Sequence, residues 1–152
     1  MNKRTVLFAD DDKDFRAFMR EIIDELSKDI NVELDVTEAK DGSEAINLYS
    51  ESIKKNKPFD FVVTDYKMPL ASGLELIKYI VKTKPVPIIV ISAYSEPHPN
   101  EFVKEGAIIF ISKPFTIEQI ASAFSEAISL SLVENDIKRA REIIKELEKL
   151  TS

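Results

Sequence analysis

Apolar residues in this chain fall into two alternating patterns. Short runs rich in Val, Ile and Phe, namely TVLFAD (5–10), VELDV (32–36), FDFVVTD (59–65), VPIIVISA (86–93) and AIIFIS (107–112), have the length and branched content of strands. Between them, apolar positions follow helical spacing. Phe15, Phe18, Met19, Ile22, Ile23 and Leu26 follow the first run, Ala45, Ile46 and Tyr49 the second, and Leu74, Leu76, Ile77, Ile80 and Val81 the third. Three of these helices are predicted to start at capping boxes, in which a short polar side chain and an acid or amide three residues on satisfy orphan backbone donors. They are Asp41 with Glu44, Ser72 with Glu75, and Thr116 with Gln119. The segment after the fourth run is the weak unit, because Pro97 and Pro99 leave only about Asn100 to Glu105 before Gly106, room for one or two turns.

Strand followed by helix, five times over, predicts an α/β fold with an open, doubly wound parallel sheet and helices on both faces. Runs one, three, four and five are nearly continuous apolar stretches, as expected of strands covered on both sides, whereas the second alternates and fits an edge. Ligands of such folds sit outside the carboxyl ends of the strands.

Composition narrows the chemistry. The 152 residues are 44% hydrophobic and 32% charged, enough for a proper core and one full domain. The net charge of −6 argues against a basic surface that grips nucleic acid directly. With no cysteine and a single histidine, His98, disulfides, thiol chemistry and histidine-rich metal sites are excluded; His98 between two prolines is expected to be an exposed loop residue. No run approaches the roughly 18 apolar residues of a membrane helix, and Met1 to Thr5 is too polar for a signal peptide, so a cytoplasmic protein without membrane insertion is expected.

At the strand ends one chemical set collects: Asp10, Asp11 and Asp12 after strand one, Asp65 after strand three, Ser92 after strand four, and Lys113, before Pro114, after strand five. Carboxylates brought together resist ionising unless a cation joins them. Oxygen donors without His or Cys suit Mg²⁺ (or Mn²⁺). A phosphoryl group there would need positive or donor partners for three oxygens, which Mg²⁺, Lys113 and Ser92 supply, and Asp65 is then the natural nucleophile. Each residue also has a plainer role: the acids as caps favouring the positive end of a helix, Ser92 as a small strand-end residue, Lys113 as surface charge. Asp12, the third acid, is expected to cap or assist.

FADDD (8–12), VVTDYKMP (62–69), VISAY (90–94) and FISKPF (110–115) resemble, in order and spacing, the four signature stretches of the response-regulator receiver domain of two-component signalling. The resemblance covers about residues 4–130. It implies a flavodoxin-like sheet of order 2-1-3-4-5 and a signalling module, not an enzyme beyond its own phosphorylation and dephosphorylation. It also implies that Asp65 accepts phosphate from a sensor histidine kinase or phosphotransfer protein. Asp10, Asp11, Asp65 and the backbone carbonyl of Lys67 would hold Mg²⁺. Ser92 and Lys113 would meet the phosphoryl group, and Phe110 would be the switch aromatic whose rotamer follows Ser92. Met68, Pro69 and Gly73 match the loop and turn that follow the phosphoacceptor. Lys67 and Tyr94 depart from the commonest pattern; overhanging the site, they would restrict hydrolytic water and lengthen the phosphorylated state. Decay of phospho-Asp65 in Lys67→Ala and Tyr94→Ala tests this, and unchanged half-lives remove it.

Two other functions compete. A Mg²⁺-dependent phosphohydrolase with an aspartyl-phosphate intermediate generally needs a second acid two residues after its nucleophile, where this chain has Lys67, and a cap domain for which no residues are left. A degenerate receiver acting only as a dimeric scaffold would not need the full acid, hydroxyl and lysine set.

Between Thr116 and Leu150 there is neither Gly nor Pro, which permits one helix of about 52 Å at 1.5 Å per residue. Ile117, Ile120, Ala121, Phe124 and Ile128 are expected to pack on the sheet. Leu130, Val133, Ile137, Ala140, Ile144 and Leu147 follow 3-4 spacing on another face, about 200° away between Ile128 and Leu130. Residues 1–130 are therefore expected to form the receiver and 131–152 a helical extension. The extension would be a coiled-coil seam for a homodimer, a linker helix cut from a longer protein, or a helix that breaks near Ser131–Asp136 and folds back. The downstream target is unknown from sequence.

Overall fold

The five strands form in the computed structural model, as β1 (Asn2–Ala9), β2 (Val32–Ala39), β3 (Phe61–Thr64), β4 (Ile88–Ala93) and β5 (Ile109–Lys113). They make one parallel sheet of order β2-β1-β3-β4-β5, the expected flavodoxin-like order. Four helices among the described residues accompany them: α1 (Lys13–Ile30), α2 (Gly42–Lys54), α3 (Gly73–Thr83) and α4 (Ile117–Thr151). The structure describes residues 2–93 and 109–151, apart from the side chains of residues 134–136 and 138. Tyr94, His98 with its prolines, the short helix expected at about 100–105 and the start of the fifth apolar run lie outside the described residues.

Register accounts for where the strands depart from their apolar runs. β1 begins at Asn2, before its apolar stretch, because β2 pairs with it continuously from Asn2↔Val32 to Ala9↔Ala39. β3 is shorter than its run because Asp60 turns its carboxylate onto the Thr5 amide at 2.8 Å, while its own amide donates to the Thr5 carbonyl at 2.8 Å. In β4, Pro87 has no N–H to give, and the strand starts one residue later.

Alternate strand residues feed two cores. Val6, Phe8, Phe61, Val63, Ile89 and Ile91 point to the face covered by α1 and α4, where they meet Met19, Ile23, Ile120 and Phe124. Leu7, Ala9, Val62, Ile88 and Val90 point to the face covered by α2 and α3, where they meet Ala45, Tyr49, Leu76, Ile77 and Ile80. The rings of Phe61 and Phe124 meet edge to face at 5.4 Å, and the Tyr49 hydroxyl donates to the Lys84 carbonyl at the end of α3.

Helix starts follow the capping signals. Gln119 and Thr116 satisfy each other reciprocally, at 3.2 Å from the Gln119 amide to the Thr116 hydroxyl and 2.8 Å from the Thr116 amide to the Gln119 side chain. Asp41 accepts from the Glu44 amide at 2.7 Å, but Glu44 reaches back one residue further, to the Lys40 amide. Ser72 accepts from the Glu75 amide at 3.2 Å. Asp12 caps α1, accepting from the amides of Asp14 and Phe15.

Three apolar positions correct the expected burial. Phe18 is 51% exposed and packs against the Phe15 ring at the margin of α1, and Val81 is exposed on the last turn of α3. Ile117, expected on the sheet, is 60% exposed beside α1, and the buried face of α4 is carried by Ile120, Ala123, Phe124, Ala127 and Ile128. The fold-back is also corrected: α4 runs unbroken through Ser131–Asp136 to Thr151. No helix among the described residues is long and apolar enough to cross a membrane.

Candidate functional site: an acidic cluster at the strand ends

β1 and β3 are adjacent, so their carboxyl ends bring Asp10 and Asp65 side by side, and the Asp65 amide donates to the Ala9 carbonyl at 2.9 Å. Carboxylate oxygens of Asp10, Asp11 and Asp65 all lie within 4.8 Å of one another. Asp10 is 1% exposed, Asp11 is exposed and Asp65 is intermediate, so the cluster is a shelf with a buried back and an open front.

From the far edge of the sheet, β5 delivers Lys113. Its ammonium stands 3.6 Å from Asp10 Oδ2 and 3.8 Å from Asp65 Oδ2, and lies 4.0 Å over the centre of the Phe15 ring. The Lys113–Pro114 peptide bond is cis. Ser92, at the end of β4, is buried and paired in register with Ser112, one residue before Lys113. Asp10, Asp11, Asp65, Ser92 and Lys113 thus all fall at the carboxyl ends of four parallel strands. Lys67 is exposed in the loop between β3 and α3, and Phe110 is a partly buried side chain against the α2–α3 core. Tyr94 lies outside the described residues.

Asp10 is the electrostatic centre. Burial, helped by the charges of Asp65 and Asp11, raises its carboxyl from 3.8 to about 6, although the Asp12 amide and Lys113 pull the other way. The Asp12 amide donates to Oδ1 at 2.9 Å, but Oδ2 has no hydrogen-bond partner among the described residues, because Lys113 stops at ion-pair distance. A buried carboxylate oxygen left without a donor is costly unless something positive reaches it. An orphan oxygen on Asp10, an exposed carboxylate and a third from β3, with no nitrogen or sulfur donor among them, fit a hard divalent cation such as Mg²⁺.

Two supporting residues, Arg16 and Phe15, were not apparent from spacing, and a third, Gly73, was expected only as the turn after the phosphoacceptor. Arg16 donates to the backbone carbonyl of Asp10 at 2.7 Å and pairs through Nε with Glu38 of β2 at 3.3 Å, bracing the acidic loop from behind. Phe15 forms the floor under the Lys113 ammonium. Gly73 opens α3 so close to β3 that a Cβ would collide with the Asp65 carbonyl oxygen, while its amide donates to the Tyr66 carbonyl at 2.6 Å. Only Gly73 left a signal in the sequence; the other two depend on helix–strand pairings that spacing does not encode.

The chain is similar to known proteins. The chain is 36% identical over 118 residues to a protein-glutamate methylesterase/protein-glutamine glutaminase of Methanococcus maripaludis, an alignment covering 75% of this chain and 30% of that protein. It is 33% identical over 127 residues to the transcriptional regulatory protein PdtaR of Mycobacterium tuberculosis, covering 83% of this chain and 57% of that protein. The chain therefore spans about a third to just over half the length of these relatives. A response regulator receiver domain protein of Clostridium thermocellum superposes with a TM-score of 0.72 over 83% of this chain and 94% of its own, at 23% identity, a likeness of fold. The family model described as the response regulator receiver domain matches residues 6–125, from the middle of β1 well into α4. With its sheet order, its acidic cluster and that match, this chain belongs to the response regulator receiver domain family of two-component signalling.

Proposed function

We propose that the chain is a phosphorylation-switched receiver whose Asp65 takes a phosphoryl group from the phosphohistidine of a sensor histidine kinase or phosphotransfer protein. The observation that carries this is the Lys113 ammonium, at 3.6 and 3.8 Å from the carboxylates of Asp10 and Asp65, beside a carboxylate oxygen that no donor among the described residues reaches. Three carboxylates and one ammonium form a site that is incomplete until a cation and an anion enter together.

In the transfer, an Asp65 carboxylate oxygen forms the new O–P bond as the P–N bond of the donor breaks, and the electron pair leaves with the donor's imidazole. The Tyr66 amide donates to Asp65 Oδ1 at 2.7 Å and fixes the carboxylate's orientation. Lys113 already faces Oδ2 and has only a short swing to a phosphoryl oxygen. Ser92 donates its hydroxyl to another phosphoryl oxygen, and Phe110 moves as the switch aromatic into the space Ser92 leaves. Asp10, Asp11, Asp65 and the Lys67 carbonyl would hold Mg²⁺ (or Mn²⁺), which when bound offsets the charge on the phosphoryl oxygens. Residues 1–130 constitute the receiver and 131–152 an extension.

Incubation with acetyl phosphate and Mg²⁺, followed by intact mass measurement, is expected to add one phosphoryl group to the wild type and none to Asp65→Asn. Failure of the wild type with both acetyl phosphate and a competent phosphohistidine donor would leave only a scaffold.

A further inference from the structure

The second half of α4 carries a surface that the signalling site does not use. Ser131 is buried, but every described side chain after it is exposed, from Leu132 to Thr151, about 30 Å of helix at 1.5 Å per residue. Its large apolar side chains are not scattered. Leu130, Val133, Ile137, Ala140, Ile144 and Leu147 lie at 3-4 spacing along one stripe, and the five large ones are 36–57% exposed. Ile143 and Leu150 widen the stripe on one flank. A helix of good length does not hold such a stripe in water without a partner.

We infer that the partner is a second copy of this chain, joined as a parallel, in-register, two-stranded coiled coil beyond the receiver. Three features point to this occupant. In the heptad that the spacing defines, Leu130, Ile137 and Ile144 take the first core position and Val133, Ala140 and Leu147 the second. Ile137 and Ile144 put β-branched residues at the first position in two of the three heptads, and Ile144 with Leu147 is the pairing that favours two parallel strands. The charges are self-complementary: residues 133–152 hold five acids and five bases, so a copy of the segment meets no net field of its own sign. The flanking order is also specific. The sequence sets Asp136 five residues before Arg141, the offset at which parallel helices exchange flanking charges, and two-fold symmetry makes that pair twice. At the same offset Glu134 faces Ser129, and Glu148 faces Ile143, of the other copy, so no like-charged pair arises.

Sedimentation of the full chain tests this, with expected mass twice the 17.3 kDa of the chain. Ile137→Lys combined with Ile144→Lys is expected to give a monomer, as is Arg141→Glu, which would set like charges opposite Asp136. Glu142→Lys, off the stripe, is expected to keep the dimer. Circular dichroism and the thermal shift on adding Mg²⁺ establish that each variant keeps its receiver. The chain has no cysteine, so Ile144→Cys supplies a single thiol. A parallel register closes it into an interchain disulfide without changing the mass of the dimer. A monomeric wild type, a trimer, a dimer that survives the double lysine variant, or a dimer whose Ile144→Cys thiols stay reduced under oxidation would each overturn the assignment.

Discussion

Asp10 has been driven into a position that an ionised carboxylate resists. It is buried at the end of β1, with Asp65 and Asp11 close by, and its carboxyl sits at about 6 instead of 3.8. In the cation-free fold, this group's contribution to stability is fully present below pH 3.8, where both states hold the proton. It is lost as pH rises through about 6, at a cost of about 3 kcal/mol. A divalent cation reverses the preference, because it binds the ionised cluster and expels the proton. Mg²⁺ affinity is therefore expected to rise about tenfold between pH 5 and pH 7.5 and to flatten above that, with Asp10→Asn removing both the step and most of the affinity. Titration of Mg²⁺ by thermal shift at the two pH values checks this, and an affinity independent of pH would contradict it. Arg16 supports the same loop from its backbone. Arg16→Ala removes the donor to the Asp10 carbonyl and leaves Glu38 without its closest partner, and is expected to cost about 1–3 kcal/mol in denaturant unfolding.

At the scale of elements, the site depends on how closely α3 approaches the end of β3. Gly73 stands where any side chain would press on the Asp65 carbonyl, so the helix start and the proposed phosphoacceptor share one piece of backbone. Gly73→Ala is expected to destabilise the fold by about 1–3 kcal/mol and also to slow phosphoryl uptake. Ser72→Ala loses only a cap, worth about 1 kcal/mol, and should leave uptake unchanged. If the two variants behave alike in uptake, the backbone coupling is wrong. Strand runs, helix periods and the three capping boxes were legible because each is written in local spacing, and the four strand-end motifs because parallel strands bring their ends together whatever the loops do. The Arg16–Glu38 brace and the Phe15 floor were not, since each joins α1 to a strand distant in sequence. Phe18 and Ile117 misled for the opposite reason: they obey helical period but sit on the exposed margin of their helices' buried faces.

The whole molecule divides its labour between one end of the sheet and the far half of α4. The acids, hydroxyl and ammonium of the proposed cation and phosphoryl site lie at the carboxyl ends of β1, β3, β4 and β5, with Phe15 and Arg16 of α1 and Gly73 of α3 supporting them. Burial in α4 stops at Ser131, and no described side chain beyond it touches either core. The −6 charge follows the same division, because the acids and bases of residues 133–152 cancel and the excess belongs to the receiver, where part of it is gathered at one cluster. Cation binding should therefore stabilise the receiver without help from the extension. Mg²⁺ at a hundred times its dissociation constant adds about 2.7 kcal/mol to a fold that alone binds it, which for a chain of this size is about 5–10 °C in Tm. Full chain and Ile137→Lys/Ile144→Lys are expected to show the same rise on adding Mg²⁺. Only the full chain's Tm in the absence of Mg²⁺ should climb with protein concentration, because an extension that unfolds with its partner links stability to mass action. A Mg²⁺ shift that differs between the two by more than a few degrees would mean that the seam and the acidic cluster are coupled through α4, not built side by side on it.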